Sequence, residues 1–305
     1  GGRRPGPGDL AGPAGHGTEV RVDPVRHIAS EGSISVVDLA SGNLKAEIPV
    51  QLHASALALS PDGRHLVCAN AGSDNLSVVD TATDTAVETI WAKPSPADLF
   101  GASPNALVFA PDGKTLFVAN GTQNAVAVIR FAPRRRRSRL TGLIPAGWYP
   151  GALACDAAGK TLLVANIKGH AVETSTYKAT GAPGFNTHQY HGSVSIIPVP
   201  GRKELKRLSA VVADGFRRER IARALEKPRP GQPARPVPER IGEPSVFEHV
   251  VYVIKENRTY DQVLGDVAAG NGDPALCIFG EKVTPNQHKL VREFALLDNT
   301  YCSGI

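Results

Sequence analysis

Methionine is absent from all 305 residues, tryptophan occurs twice and aromatic residues make up 6%. With no methionine even at position 1, we expect a processed chain or a piece of a longer reading frame. No apolar run approaches the roughly 20 residues that a membrane span needs. The start, GGRRPGPGDLAGPAGHG, is basic but has no apolar core behind it, so no signal peptide is read there. The four cysteines, Cys68, Cys155, Cys277 and Cys302, form no C-x-x-C pair, which excludes zinc-ribbon and thioredoxin-like motifs. Cys68 and Cys155 read as small core residues. A Cys277–Cys302 bridge would require an oxidising compartment.

What is present is a globular composition, 42% hydrophobic and 21% charged, long enough for about two domains. The net charge of +5 is uneven: Arg202–Arg240 holds twelve Lys/Arg against five Asp/Glu, or +7. Its prolines mark a solvated linker. A second basic run, Arg134–Arg137 with Arg139, lacks interleaved aromatics, so no nucleic-acid partner is expected.

Residues 1–30 are read as irregular, with Gly1–Gly17 disordered. From about residue 31 a repeat sets in. Ala56–Asp80 (ALALSPDGRHLVCANAGSDNLSVVD), Ala106–Ile129 (ALVFAPDGKTLFVANGTQNAVAVI) and Ala152–Asn166 (ALACDAAGKTLLVAN) share one plan, with Asn70, Asn120 and Asn166 spaced by 50 and 46 residues. In each, an apolar strand meets a turn whose glycine supplies a positive φ, and a second strand returns. A third and a fourth strand follow, as in Leu76–Val79 and Ala86–Trp91. Four short antiparallel strands per forty-odd residues describe a propeller blade. The blocks SPDG-x-x-L-x-x-AN and LSVVDTAT resemble YVTN-type repeats, which build seven-bladed propellers. Residues 31–208 leave room for about four blades at the usual 40–45 residues each. Lys168–His191 interrupts the third unit and carries His170, His188 and His191, whose spacing fits no compact metal motif.

Lys203–Glu226 has helical apolar spacing with Gly215 as its weak point, and Lys227–Pro244 is read as a stiff, extended linker within 209–245. In residues 246–305, the run Val250–Ile254 reads as a buried strand of a parallel sheet, ending at Glu256 and Asn257. Thr259 and Gln262 have capping-box spacing. A second strand, Phe294–Leu297, ends at Asp298 and Asn299. If the strands are parallel, these four polar residues share one sheet edge, the usual ligand edge of open α/β sheets.

HVVYVIKENRTYDQVLGD, GNGDPALCIFGEKVTPNQHKLVREFALLDN and TYCSG together resemble the phosphoesterase (phospholipase C/acid phosphatase-like) branch of the alkaline phosphatase superfamily. The overall expectation is a mainly β chain: a partial, about four-bladed propeller, then a Pro-rich linker and the first βα units of an alkaline-phosphatase-like α/β domain. The resemblance implies a metal-dependent hydrolase of phosphate esters. Glu256 and Asn257 would be ligands of a divalent metal ion. A hydroxyl nucleophile would lie beyond the residues present, with Ser303 and Thr300 the only nearby candidates. It further implies a phosphate-ester small molecule or a phospholipid as substrate and a periplasmic or extracellular location. The alternative from another class is a non-catalytic propeller scaffold with an inert phosphoesterase remnant.

Overall fold

The structure is a computed structural model that describes residues 11–14, 18–25, 28–96, 98, 101–133, 137–170, 175–176, 183–184 and 191–298. It divides into two compact units, residues 1–222 and 223–305. The first is mainly β.

A hairpin of β1 (Ala11–Ala14) and β2 (Thr18–Arg21) opens it, paired from Ala11 opposite Arg21 to Ala14 opposite Thr18. Disorder was expected there; instead the two short segments satisfy each other's backbone groups. The first sheet is β3 (Gly32–Val37) with β4 (Leu44–Val50). The second is β5 (Ala54–Leu59), β6 (His65–Asn70), β7 (Asn75–Asp80) and β8 (Thr85–Trp91), in that order. The third, β9 (Pro104–Phe109), β10 (Thr115–Asn120), β11 (Ala125–Arg130) and β12 (Arg139–Pro145), repeats the plan. The fourth joins β13 (Trp148–Cys155), β14 (Thr161–His170) and β17 (His191–Pro198), while the interruption forms a small pair, β15 (Ser175–Thr176) and β16 (Pro183–Gly184). Every named pairing is antiparallel. These four sheets are the blades of a partial β-propeller.

The turn glycines do what their sequence position demands: Gly63, Gly113 and Gly159 have φ of 71°, 62° and 67°. In the same turns Asp62, Asp112 and Asp156 accept backbone N–H groups at or just before the start of the returning strand. In the third unit the aspartate sits at the first turn position instead of the third, yet it still accepts from Thr161.

Strand alternation sorts the core into layers between blades. Cys68 and Val79 turn to the first blade and meet Ile34, Ile48 and Val50. Val67, Leu76 and Val78 turn the other way, onto Leu116, Val118 and Ile129 of the third blade. Phe117, Val126 and Ile144 then meet Leu162 and Val164 of the fourth. Each fully buried side chain of this size contributes about 1.5–3 kcal/mol. Inner strands follow one another, β5 beside β9 and β9 beside β13, and Ser55 Oγ donates to Pro104 O at 2.9 Å across that seam. The far face of the fourth blade leaves Leu163, Val194 and Ile196 exposed.

The expected helix after the last strand forms in two parts, α1 (Arg202–Gly215) and α2 (Arg218–Ala224). They break just past Gly215, where Arg217 adopts φ 50°. α1 packs on β12, the outer strand of the third blade. The fit needs Gly142: a Cβ there would lie 2.6 Å from Leu205 Cγ and 2.7 Å from Ser209 Oγ. The Ser209 hydroxyl accepts from Leu143 N–H at 2.8 Å and donates to Leu205 O at 2.6 Å. A sheet edge is thereby closed by a helix rather than by another strand.

The second unit corrects three expectations. The linker is not extended. Glu243, buried, takes a two-pronged bond from Arg229, Nε at 2.7 Å and Nη2 at 3.0 Å. Arg240 pairs with Glu226 and Arg235 with Glu239. Several of its charges are thus spent internally, folding the loop back on itself. Secondly, Val250–Ile254 forms no strand and each residue is 69–87% exposed. Thirdly, Phe294–Leu297 forms none either. A buried strand needs neighbours to bond its N–H and C=O groups, and no described residue supplies one to either run. What does form is helical: α3 (Tyr260–Leu264) and α4 (Pro285–Glu293). The expected capping box is present in full, Thr259 and Gln262 each bonding the other's backbone N–H. Pro285 takes the first turn of α4, and the Thr284 hydroxyl donates to Phe279 O at 2.7 Å and makes no cap bond to the helix.

Candidate functional site

The blade ends that carry Asn70, Asn120 and Asn166 gather many of the first unit's buried polar groups. All three asparagines are buried. Asn70 Nδ2 donates to Asn75 Oδ1 at 2.9 Å and Ser77 Oγ at 3.0 Å. Asn120 Nδ2 donates to Ala92 O at 2.8 Å and Gln123 Oε1 at 2.9 Å. Asn166 Nδ2 reaches Ser195 Oγ at 2.9 Å. Each amide therefore ties its strand end to a neighbouring strand or turn. The carbonyl side is different. Asn120 Oδ1, Asn166 Oδ1 and the nearby Asn105 Oδ1 are buried with no partner among the described residues. Such acceptors call for a donor from water or a ligand, since an unmet buried acceptor costs about 1–3 kcal/mol.

Around them the backbone repeats an uncommon geometry. His53, Ser103 and Tyr149, each at the entry to an inner strand, have φ of 59°, 47° and 57°. Asp74 and Asn124, each after a short 3₁₀ turn, have φ of 55° and 48°. Non-glycine residues seldom take this left-handed form. The reason is a stitch from blade to blade. Asp74 Oδ1 accepts N–H groups of Ala102 and Ser103 at 2.6 and 3.1 Å. Asn124 Oδ1 accepts that of Tyr149 at 2.9 Å. Asp74 Oδ2 also holds the buried Lys93 ammonium at 3.0 Å, and Lys93 donates to Asp98 O at 3.1 Å. On the fourth blade the buried Lys168 places Nζ 5.2 Å from the centre of the half-exposed Trp148 ring, a cation–π contact. This end thus offers unmet acceptors, an exposed indole and two buried cations. It can seat a polar ligand by hydrogen bonds and stacking.

The residues expected to bind metal lie in the other unit. Glu256 and Asn257 are exposed, and Asn257 has φ 61°. Neither side chain has a partner among the described residues. Asp298 accepts from Asn271 N–H at 2.8 Å. Asn299, Thr300, Cys302 and Ser303 lie outside the described residues, as does His188. Cys277 is a free thiol. Strand register sets His170 opposite His191. Among the described residues no three His, Cys, Asp or Glu side chains gather as a metal cage. Two exposed oxygen donors do not fit a hard cation, which takes about six.

No motif announces the Asp74–Lys93 pair or His288, which is fully buried on α4. Its Nε2 lies 2.7 Å from Asp266 Oδ1 and its Nδ1 2.9 Å from Thr284 O. Nδ1 also lies 3.0 Å from Thr284 Oγ1. The carboxylate and the carbonyl are both acceptors, an arrangement that favours the doubly protonated, charged ring. Burial opposes that charge, but the Asp266 carboxylate and the Thr284 carbonyl outweigh it and raise the His288 pKa. The His288 bond in turn holds Asp266 down at about 2.

Residues 85–189 match the family model described as lactonase, 7-bladed beta-propeller. That span runs from the fourth strand of the second blade through the interruption of the fourth, and includes Asn105, Asn120, Trp148 and Asn166. No curated protein matches the chain. Among solved structures it is similar to the hydrazine synthase of Kuenenia stuttgartiensis, at 25% identity and a TM-score of 0.40, over 54% of this chain and 43% of that one. It is also similar to a functionally unknown protein from Desulfotomaculum acetoxidans DSM 771, at 16% identity and a TM-score of 0.37, over 55% of this chain and 51% of that one. The matched region thus spans about half or less of either protein. Among the described residues no helix is long and apolar enough to cross a membrane.

Proposed function

We propose that the chain is part of a hydrolase of ester bonds, and that the blade ends around Asn105, Asn120 and Asn166 seat its substrate. The observation that carries this is the lactonase-propeller match over the span that holds the orphaned acceptors and Trp148. A substrate with hydroxyl groups would supply the donors that these oxygens lack. The left-handed residues at each blade entry agree with this placement, since such backbone gathers at functional sites.

The finer reading is a phosphate ester, from a small molecule or a phospholipid, cleaved outside the cytoplasm with a divalent cation. Its support is the resemblance of the second unit to phosphoesterases. There Glu256 and Asn257 would be two of the ligands, and the described residues offer no third. The experiment measures hydrolysis of a γ-lactone and of an aryl phosphate, each with and without added Mg²⁺ or Mn²⁺. Lactone turnover lost in Asn120→Ala and kept in Glu256→Ala supports a ring-end ester site. Metal-dependent phosphate turnover lost in Glu256→Ala supports the finer reading. No turnover of either substrate overturns both.

A further inference from the structure

Between β12 and α1 lies a groove of about 1310 Å³. Pockets for drug-sized ligands run about 300–1,000 Å³, so it has room for one. Its floor is apolar: Leu140 and Leu143 from the strand, Val212 and Phe216 from the helix, and Ile221 beyond the break. Its rim is cationic. Arg139, Arg202, Lys203 and Lys206 line it, and none has an ionic partner among the described residues. The one acid on the rim, Asp98, is already neutralised by Arg218 at 3.3 Å. The groove therefore combines an apolar trough with an uncompensated positive margin.

We infer that this groove binds a single-chain anionic amphiphile, a long-chain carboxylate, with its tail along the trough and its head on the rim cations. Three features choose that occupant. An extended peptide would add to the edge of β12, but α1 already lies against that strand, and Ser209 Oγ accepts the N–H of Leu143 at 2.8 Å. A single-stranded nucleic acid would need aromatic platforms, and among the described residues Phe216 is the only aromatic one lining the groove. A neutral apolar ligand would leave the rim charges without a function. Lys and Arg also suit this arrangement because their stems cover apolar surface while their heads stay in water.

The test is displacement of 11-(dansylamino)undecanoate from the intact chain by dodecanoate, kept below its micelle-forming concentration. We expect saturable, one-to-one displacement by dodecanoate and at least about tenfold weaker displacement by dodecyltrimethylammonium. A tenfold change corresponds to about 1.4 kcal/mol, close to the low end for one hydrogen bond to a charged group. Lys206→Glu with Arg139→Glu, both at exposed positions, should weaken dodecanoate at least tenfold. Ala213→Trp, which fills the trough, should abolish binding; circular dichroism checks that it folds. Three results would overturn the inference. The first is no saturable binding of the monomeric carboxylate. The second is equal affinity for the cationic amphiphile. The third is unchanged affinity in the folded charge-reversed and trough-filled variants. Binding to anionic vesicles without binding of the monomer would also replace it with a membrane-surface role.

Discussion

Replacing Asp74 with alanine should loosen the second blade from the third. Asp74 accepts two N–H groups from the entry to β9 and holds the ammonium of Lys93. Removing the carboxylate orphans both N–H groups, each at about 1–3 kcal/mol if kept from water. It also leaves a buried cation with only the Asp98 carbonyl, and breaking such a pair by removing one partner costs about 3–5 kcal/mol. The Asp74 side chain keeps 20% of its exposure, so water can reach part of the site. We therefore expect a net loss of about 3–5 kcal/mol, not the full sum. Urea unfolding followed by far-ultraviolet circular dichroism measures it. Two companions separate the contributions. Asp74→Asn keeps the acceptor and should lose less, since Asn124 makes the same stitch with an amide. Asp74→Ala combined with Lys93→Met removes both charges and should be more stable than the sum of the single losses predicts. A loss below about 1 kcal/mol for Asp74→Ala, or strict additivity in the double variant, would refute the reasoning.

Gly142→Val should push α1 away from β12, at about 1–3 kcal/mol for overpacking, and should weaken carboxylate binding in the groove; thermal melts and the dansyl displacement assay check the two effects. The His288–Asp266 pair gives the second unit a pH profile. The raised His288 pKa contributes stability that is complete below its unfolded value of about 6.5 and is lost as pH rises through the folded value. The lowered Asp266 pKa contributes stability present above about 3.9 and lost as pH falls toward about 2. Stability of this unit should therefore be greatest between about pH 4 and 6.5, and His288→Gln should flatten the alkaline side; hydrogen exchange of α4 amides reads it. An NMR titration placing His288 at or below 6.5 would contradict the geometry.

The blades were legible because their signals are local. A Pro-Asp-Gly turn, an alternating strand and an anchoring asparagine each lie within about ten residues, and repetition makes them unmistakable. The capping box at Thr259 was legible for the same reason. The stitches were not, because Asp74 meets Ala102 28 residues later and nothing near either residue announces the other. His288 and Asp266 are 22 residues apart and were hidden likewise. Proline spacing pointed to an extended linker, yet arginine–glutamate geometry folded it back, since Glu243 bonds Arg229 across 14 residues. Apolar content at Val250–Ile254 signalled a strand, but content alone does not provide a neighbour. The metal expectation at Glu256 and Asn257 rested on that strand and on resemblance, and neither residue's surroundings were written in the pattern.

The repeated stitch also bears on how the propeller can be made. The turns of the second and third blades each carry the oxygen that catches the entry of the next, Asp74 for Ser103 and Asn124 for Tyr149. The receiving group is in place before its counterpart leaves the ribosome, and the two are separated by 25–29 residues. Blades can thus be added one at a time in the direction of synthesis, each resting on a finished neighbour, with a loop-closure cost that stays nearly constant from step to step. Swapping the order of two blades would leave every strand intact while separating each catch from its target.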